Sequence, residues 1–212
     1  MPFCEQTLDF LLENRMRDDR LWFNEHRADY ERLVLSPLRQ LVSDMAGAML
    51  SIDPQLIVEP KVGKCISRIF RDTRFSHDKS IFRDVMWISF ERDKEYPGFY
   101  FEITPVSYSY GCGWYCATAK EADALHSLVL SGTPQFRAAK EAFEKQNVFS
   151  FEGDKYKQAR HPEISGFQSE WLERRSPYIT TRGSDMALLF SDDLAQKLSD
   201  DFISIAEVYR VN

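Results

Sequence analysis

No run of apolar residues in this 212-residue chain approaches the ~20 that a membrane-spanning helix needs. The opening Met1-Pro2-Phe3-Cys4-Glu5-Gln6 lacks both the basic start and the apolar core of a secretion signal. No Asn-x-Ser/Thr acceptor occurs, so nothing in the sequence points outside the cell. Cysteine is scarce: Cys4, Cys65, Cys112 and Cys116 read as free thiols of a reducing cytoplasm. Pairing Cys112 with Cys116 is disfavoured, because four extended residues span about 13 Å and a disulfide bridges Cα atoms no more than roughly 7 Å apart. Histidine is scarce as well. His26, His77, His126 and His161 fall into no metal-binding helix motif, and neither a metal nor another cofactor is expected. A positive surplus is also missing. The 27 Lys and Arg stand against 33 Asp and Glu, and the net charge of −6 repels nucleic acid and acidic membranes unless cations gather locally.

They do gather. Residues 61–83 hold Lys61, Lys64, Arg68, Arg71, Arg74, Lys79 and Arg83 against Asp72 and Asp78, a local charge of +5 in a chain whose remainder is −11. Elsewhere the composition is that of a globular domain, with 43% hydrophobic and 28% charged residues. That length and balance predict one domain over residues 1–212, without linker or repeat.

Apolar spacing sorts the chain into three parts. Leu8, Leu11 and Leu12 predict a helix over 5–17, and Asp18 or Asp19 is placed to cap a second helix running through Trp22, His26, Tyr30 and Leu33. His26 reads as a hydrogen-bonded residue of that apolar face. Ser36-Pro37 reads as a fresh helix start that continues to about Ser51. The middle changes period: 56–62 and 65–70 read as short strands, 85–91 and 98–104 as a hairpin, and 107–117 as a bent aromatic strand. Helices return at 119–131, 134–145 and 166–175, followed by a strand at 177–182 and a last helix capped by Ser191. The fold class is α+β, an antiparallel sheet of about four to six strands packed by N- and C-terminal helices.

The segment 65–84, CISRIFRDTRFSHDKSIFRD, carries the chemistry. An arginine presents a rigid fork of donors suited to carboxylate or phosphate. Arg68, Arg71 and Arg74 recur every three residues beside Lys79, and Asp72 and Asp78 are placed to orient them or to serve as a base. These six residues are the candidate ligand-binding set for a small anionic, phosphate-bearing molecule, with no reaction type assigned. The competing reading is an interaction or scaffold protein in which the same residues form a structural ion-pair clamp. Nucleic acid is disfavoured as a partner, because one loop is too short a basic stripe.

Other motifs carry less. Ser76-His77-Asp78 spells a triad in consecutive residues, whose side chains cannot face one another. Pro97–Ile103 echoes a base-stacking strand but lacks its basic and small residues, so packing of Phe99, Phe101 and Ile103 explains it better. Gly111-Cys112-Gly113 lacks the spacing of a nucleotide-binding loop. Glu102, between aromatics, is a carboxylate whose ionisation depends on whether an arginine reaches it.

Arg71-Asp72-Thr73-Arg74-Phe75-Ser76 followed by Asp78-Lys79 resembles the signature of an uncharacterised bacterial and fungal family, domain of unknown function 2461. Trp22-Phe23-Asn24-Glu25-His26-Arg27 resembles the family's tryptophan-phenylalanine helix, and Gly111–Tyr115 its glycine-rich strand. The family continues after the lysine with a small residue, Pro, Tyr and Lys. Here Ser80-Ile81-Phe82-Arg83 stands instead, without the tyrosine hydroxyl. The resemblance implies one cytoplasmic α+β domain and brings no activity or cofactor with it.

Overall fold

A computed structural model describes residues 3–74, 77–93, 95–114, 118–183 and 185–211. The N-terminal helices are α1 (Glu5–Arg17), α2 (Arg20–Glu25), α3 (Arg27–Tyr30) and α4 (Ser36–Ile52). Of the two candidate caps, Asp19 caps α2, accepting from Leu21 N at 2.6 Å. Asp18 instead ends α1 in the left-handed region at φ 47°.

Ser36 does not cap a new helix. Helical backbone continues through a π-helical turn over Glu31–Leu35, in which Ser36 N donates to Glu31 O. A proline lacks an N–H, so an α-helix entering Pro37 leaves the carbonyl four residues earlier without its donor. That carbonyl belongs to Leu33, and the Thr7 hydroxyl of α1 donates to it at 2.8 Å. Thr7 is fully buried. One side chain therefore answers the proline and ties α1 to the long helix.

The sheet has five strands in the order β1-β2-β3-β5-β4, namely β1 (Met86–Arg92), β2 (Glu95–Ile103), β3 (Tyr108–Gly113), β4 (Ser150–Glu152) and β5 (Tyr178–Gly183). Pairing is antiparallel, with Ser150, Phe151 and Glu152 opposite Thr180, Ile179 and Tyr178. Alternation fits the pleat: Phe99, Phe101 and Ile103 are fully buried, whereas Tyr100 and Glu102 are half-buried. Glu102 accepts from Ser109 Oγ at 3.0 Å. At Gly111 a Cβ would stand 2.0 Å from Ile179 O, so β3 and β5 can approach only through glycine.

The remaining helices are α5 (Ala119–Ser131), α6 (Pro134–Lys145), α7 (Phe167–Leu172), α8 (Met186–Leu189), α9 (Leu194–Ser204) and α10 (Ala206–Tyr209). The first two match their predicted bounds because Thr118 and Thr133 cap them. Ser191 lies outside the last long helix, its hydroxyl donating back to Leu188 O at 2.9 Å.

The chain forms two compact units. One comprises residues up to Phe90, Tyr100–Ser109 and Arg182–Ser199, and the other Glu91–Phe99, Tyr110–Thr181 and residues from Asp200 onward. In the first, Phe10, Phe23, Tyr30 and Phe82 form an aromatic core, with Phe23 4.8 Å from Phe82 between ring centres. In the second, Phe99 lies 4.9 Å from both Phe202 and Tyr209, and the Tyr110 hydroxyl donates to buried Asp201 at 2.7 Å. No helix among the described residues is long and apolar enough to cross a membrane.

Candidate functional site

The basic segment lies within the first unit and folds back on itself as an irregular ribbon. Ile66 bridges Ile88 and Phe70 bridges Phe82, both antiparallel. Between the two bridges one arm advances four residues and the other six, so no continuous ladder forms. The predicted strand over 65–70 is therefore only bridged, and of 56–62 only Val62 pairs, beyond Pro60. Arg71 N donates to Ile81 O and Arg83 N to Ile69 O, each at 2.9 Å. Residues 72–74 and 77–80 lie at the ribbon's tip.

The ribbon is seated by its apolar face. Phe70 and Phe82 lie 5.1 Å apart and both meet Phe23 of α2. A polar clamp sits alongside. The Asp18 carboxylate accepts from Ile81 N at 2.7 Å and from Phe82 N at 3.0 Å. A carboxylate at a helix C-terminus opposes the helix dipole, and a left-handed non-glycine residue is strained. Two backbone donors from a segment 63 residues away offset both.

Two carboxylates organise the loop. Asp78 Oδ1 accepts from Ser80 N at 3.0 Å and Ser80 Oγ at 2.7 Å. Its Oδ2 lies 2.9 Å from Arg15 NH2 on α1 and 3.3 Å from Arg71 NH2. The Ser80 hydrogen bonds, helped by the charges of Arg71 and Arg15, hold Asp78 down at a pKa of about 2. Asp72 faces another arginine: Arg74 Nε is 3.0 Å from Oδ1 and NH2 2.7 Å from Oδ2, the bidentate fork. The side chain and then the backbone N–H of Arg74 pull the Asp72 pKa to about 2, with a smaller contribution from Arg83.

The six predicted residues are thus distributed: Asp72, Arg74, Asp78 and Lys79 lie at the tip, Arg71 at its edge, and Arg68 apart from it. Arg71 and Asp78 meet, as do Asp72 and Arg74, while Lys79 donates to Thr73 O at 2.8 Å. Arg68 stands near Gly63 at the base of the ribbon, exposed and without a carboxylate partner among the described residues. The two arginine stations differ in exposure: the Arg71 side chain is 28% accessible and that of Arg74 77%. Arg83 donates to Phe70 O and stacks over Trp87 at 4.7 Å. Phe75 and Ser76 of the motif lie outside the described residues, as does Cys116. Cys65 and Cys112 are buried free thiols, and burial pushes the Cys112 pKa up. No cluster of three metal-ligating side chains occurs among the described residues.

Sequence reasoning missed Arg15 and Asp18, which come from the other end of this unit's chain. One signal was available: two consecutive aspartates directly after a helix, where a cation is the usual choice.

An α+β fold with one antiparallel sheet and an ion-paired arginine loop defines the class of protein. Residues 6–210 match the family described as "Conserved hypothetical protein (DUF2461)", and the chain belongs to that family. No curated protein matches the chain.

Proposed function

We propose that the tip of the ribbon binds a small anionic, phosphate-bearing ligand. The observation that carries this reading is charge. Residues 61–83 carry a net charge of +5 in a chain of net −6, and Arg15 of α1 is brought to the same loop at Asp78 beside Arg71. The exposed Arg74 fork already grips a carboxylate bidentately, and phosphate oxygens suit the same donors. Lys79, held by a neutral carbonyl, adds a positive charge that no carboxylate of the described residues neutralises. Arg71 belongs to the scaffold of the site, because it shares Asp78 with Arg15.

A second reading is favoured by one specific observation. Asp78 joins Arg15 of α1 to Arg71, which is what a structural clamp requires. In that case the protein is a non-enzymatic interaction or scaffold protein and the loop binds nothing. A thermal-shift screen with phosphate, pyrophosphate, nucleotides and sugar phosphates at fixed ionic strength separates the two. Ligand at a hundred times its dissociation constant adds about 2.7 kcal/mol, a Tm rise of about 5–10 °C for a chain of this length. The rise is expected to vanish in a folded Arg74→Ala variant. No rise with any anion, together with an Arg71→Ala variant of lowered Tm, favours the clamp.

A further inference from the structure

The second unit contains a polar assembly of another kind. His126 of α5 is buried at 5% accessibility, and its Nε2 lies 3.2 Å from Arg174 O, just beyond α7. A carbonyl only accepts, so Nε2 carries the proton and Nδ1 presents a lone pair. Arg160 NH1 donates toward that lone pair at 3.5 Å. The same guanidinium lies over the Tyr156 ring at 4.0 Å and 3.4 Å from Asp123 of α5. Arg160 and Tyr156 belong to residues 153–166, which carry no regular helix or strand. The segment begins at Gly153 (φ 112°) and ends at Gly166 (φ 70°), both in conformations that favour glycine. Between them the segment is tied to the rest of the unit by Tyr156 N to Glu173 O at 2.9 Å, the Lys155–Arg174 bridge, the Lys155–Glu170 ion pair at 3.9 Å, the edge-on contact of the Tyr156 and His126 rings at 5.9 Å, a long bond from His161 N to Glu173, and the Arg160 contacts.

We infer that His126 is the pin of an acid-released latch that fastens residues 153–166 to α5. The donor and acceptor pattern sets the direction. With His126 neutral, Nδ1 accepts from Arg160. A protonated ring keeps its Nε2 bond to Arg174 O but turns an N–H toward the guanidinium, so two donors and two positive charges face each other. The other charged and titratable groups around the ring are Asp123 on α5, which favours the protonated form, and His161 on the segment, which opposes it. Beyond α7 the Arg174 side chain is already paired with Glu170, and Glu173 bonds the segment rather than the ring. Burial, reinforced by Arg160 and His161, holds the His126 imidazolium below the usual histidine range. A group whose pKa falls on folding stabilises the fastened state above its ordinary value of about 6.5, and that stabilisation is lost as pH falls. Acid therefore leaves the exposed Asp123, a weak surface pair, as the partner of Arg160 on α5. The segment then swings on its two glycines.

Hydrogen exchange of the amides in 154–165 reads this directly in the intact protein, between pH 7.5 and 5 and corrected for intrinsic rates. The opening equilibrium is expected to rise with acid by at most about tenfold per pH unit. In His126→Gln the amide N–H2 can still donate to Arg174 O and the amide oxygen can accept from Arg160, but position 126 no longer titrates. Its exchange is expected to be flat over the same range. An equal acid response in His126→Gln, or none in the wild type, overturns the latch. Nitrogen-15 histidine spectra of the wild type give a test that needs no variant. They should show His126 as the Nε2–H tautomer at pH 7.5, and an Nδ1–H tautomer overturns the inference.

Discussion

The two polar assemblies use charge in opposite ways. At the ribbon tip, Asp72 and Asp78 are both ionised and both exposed, Asp72 in a bidentate pair with Arg74 and Asp78 between Arg15 and Arg71. His126 itself is buried, although its partners Arg160 and Asp123 reach the surface, and its two ring contacts fix where the imidazole proton sits. Exposed ion pairs exchange partners readily because water competes on nearly equal terms. Buried ones do not, since an unmet donor is costly. The comparison separates a surface suited to exchanging one anion for another from an interior that responds to a proton.

The largest effect should come from the seat beneath the ribbon. Phe82→Ala removes a fully buried ring from the Phe23–Phe70 cluster and should lower stability by about 3–5 kcal/mol in denaturant titration. Asp18→Ala comes next. It strips charge-assisted bonds from Ile81 N and Phe82 N, a loss of about 2–3 kcal/mol. Asp18→Gly should be milder by roughly 1 kcal/mol, because glycine tolerates the left-handed backbone. Arg71→Ala should lower Tm by about 2–4 °C, whereas Arg74→Ala, on a far more exposed pair, should leave Tm without measurable change in the absence of ligand.

The smallest effect is the pH response of the two tip carboxylates. Their folded pKa values of about 2 lie below the ordinary 3.8. Their contribution is therefore complete above about pH 4 and is lost as pH falls toward 2. A Tm profile across that window should flatten in Asp78→Asn and, because both pairs are exposed, shrink in high salt.

Much of the fold was legible because local rules decide it. Thr118 and Thr133 mark the starts of α5 and α6, and period-two alternation marks β1 and β2. What escaped was tertiary. β4 has three residues, too few for a period. The 65–70 arm alternates poorly because its partner strand carries two extra residues between bridges. Ser36-Pro37 looks like a helix start because the compensating donor, Thr7, lies far away in sequence. For the same reason the arginine loop was visible as a cluster while Arg15 and Asp18, which anchor it, were not. Spacing revealed which residue types gather, but not that Arg71 and Arg74 answer to different carboxylates.

The most direct test of the central claim is titration calorimetry with pyrophosphate on the wild type, Arg74→Ala and Lys79→Ala at two ionic strengths. Saturable binding in the wild type that weakens with salt, and is lost or at least tenfold weaker in both folded variants, is the predicted result. Binding unchanged by either substitution, or no binding by the wild type, contradicts an anion site at the ribbon tip and leaves the loop as a clamp.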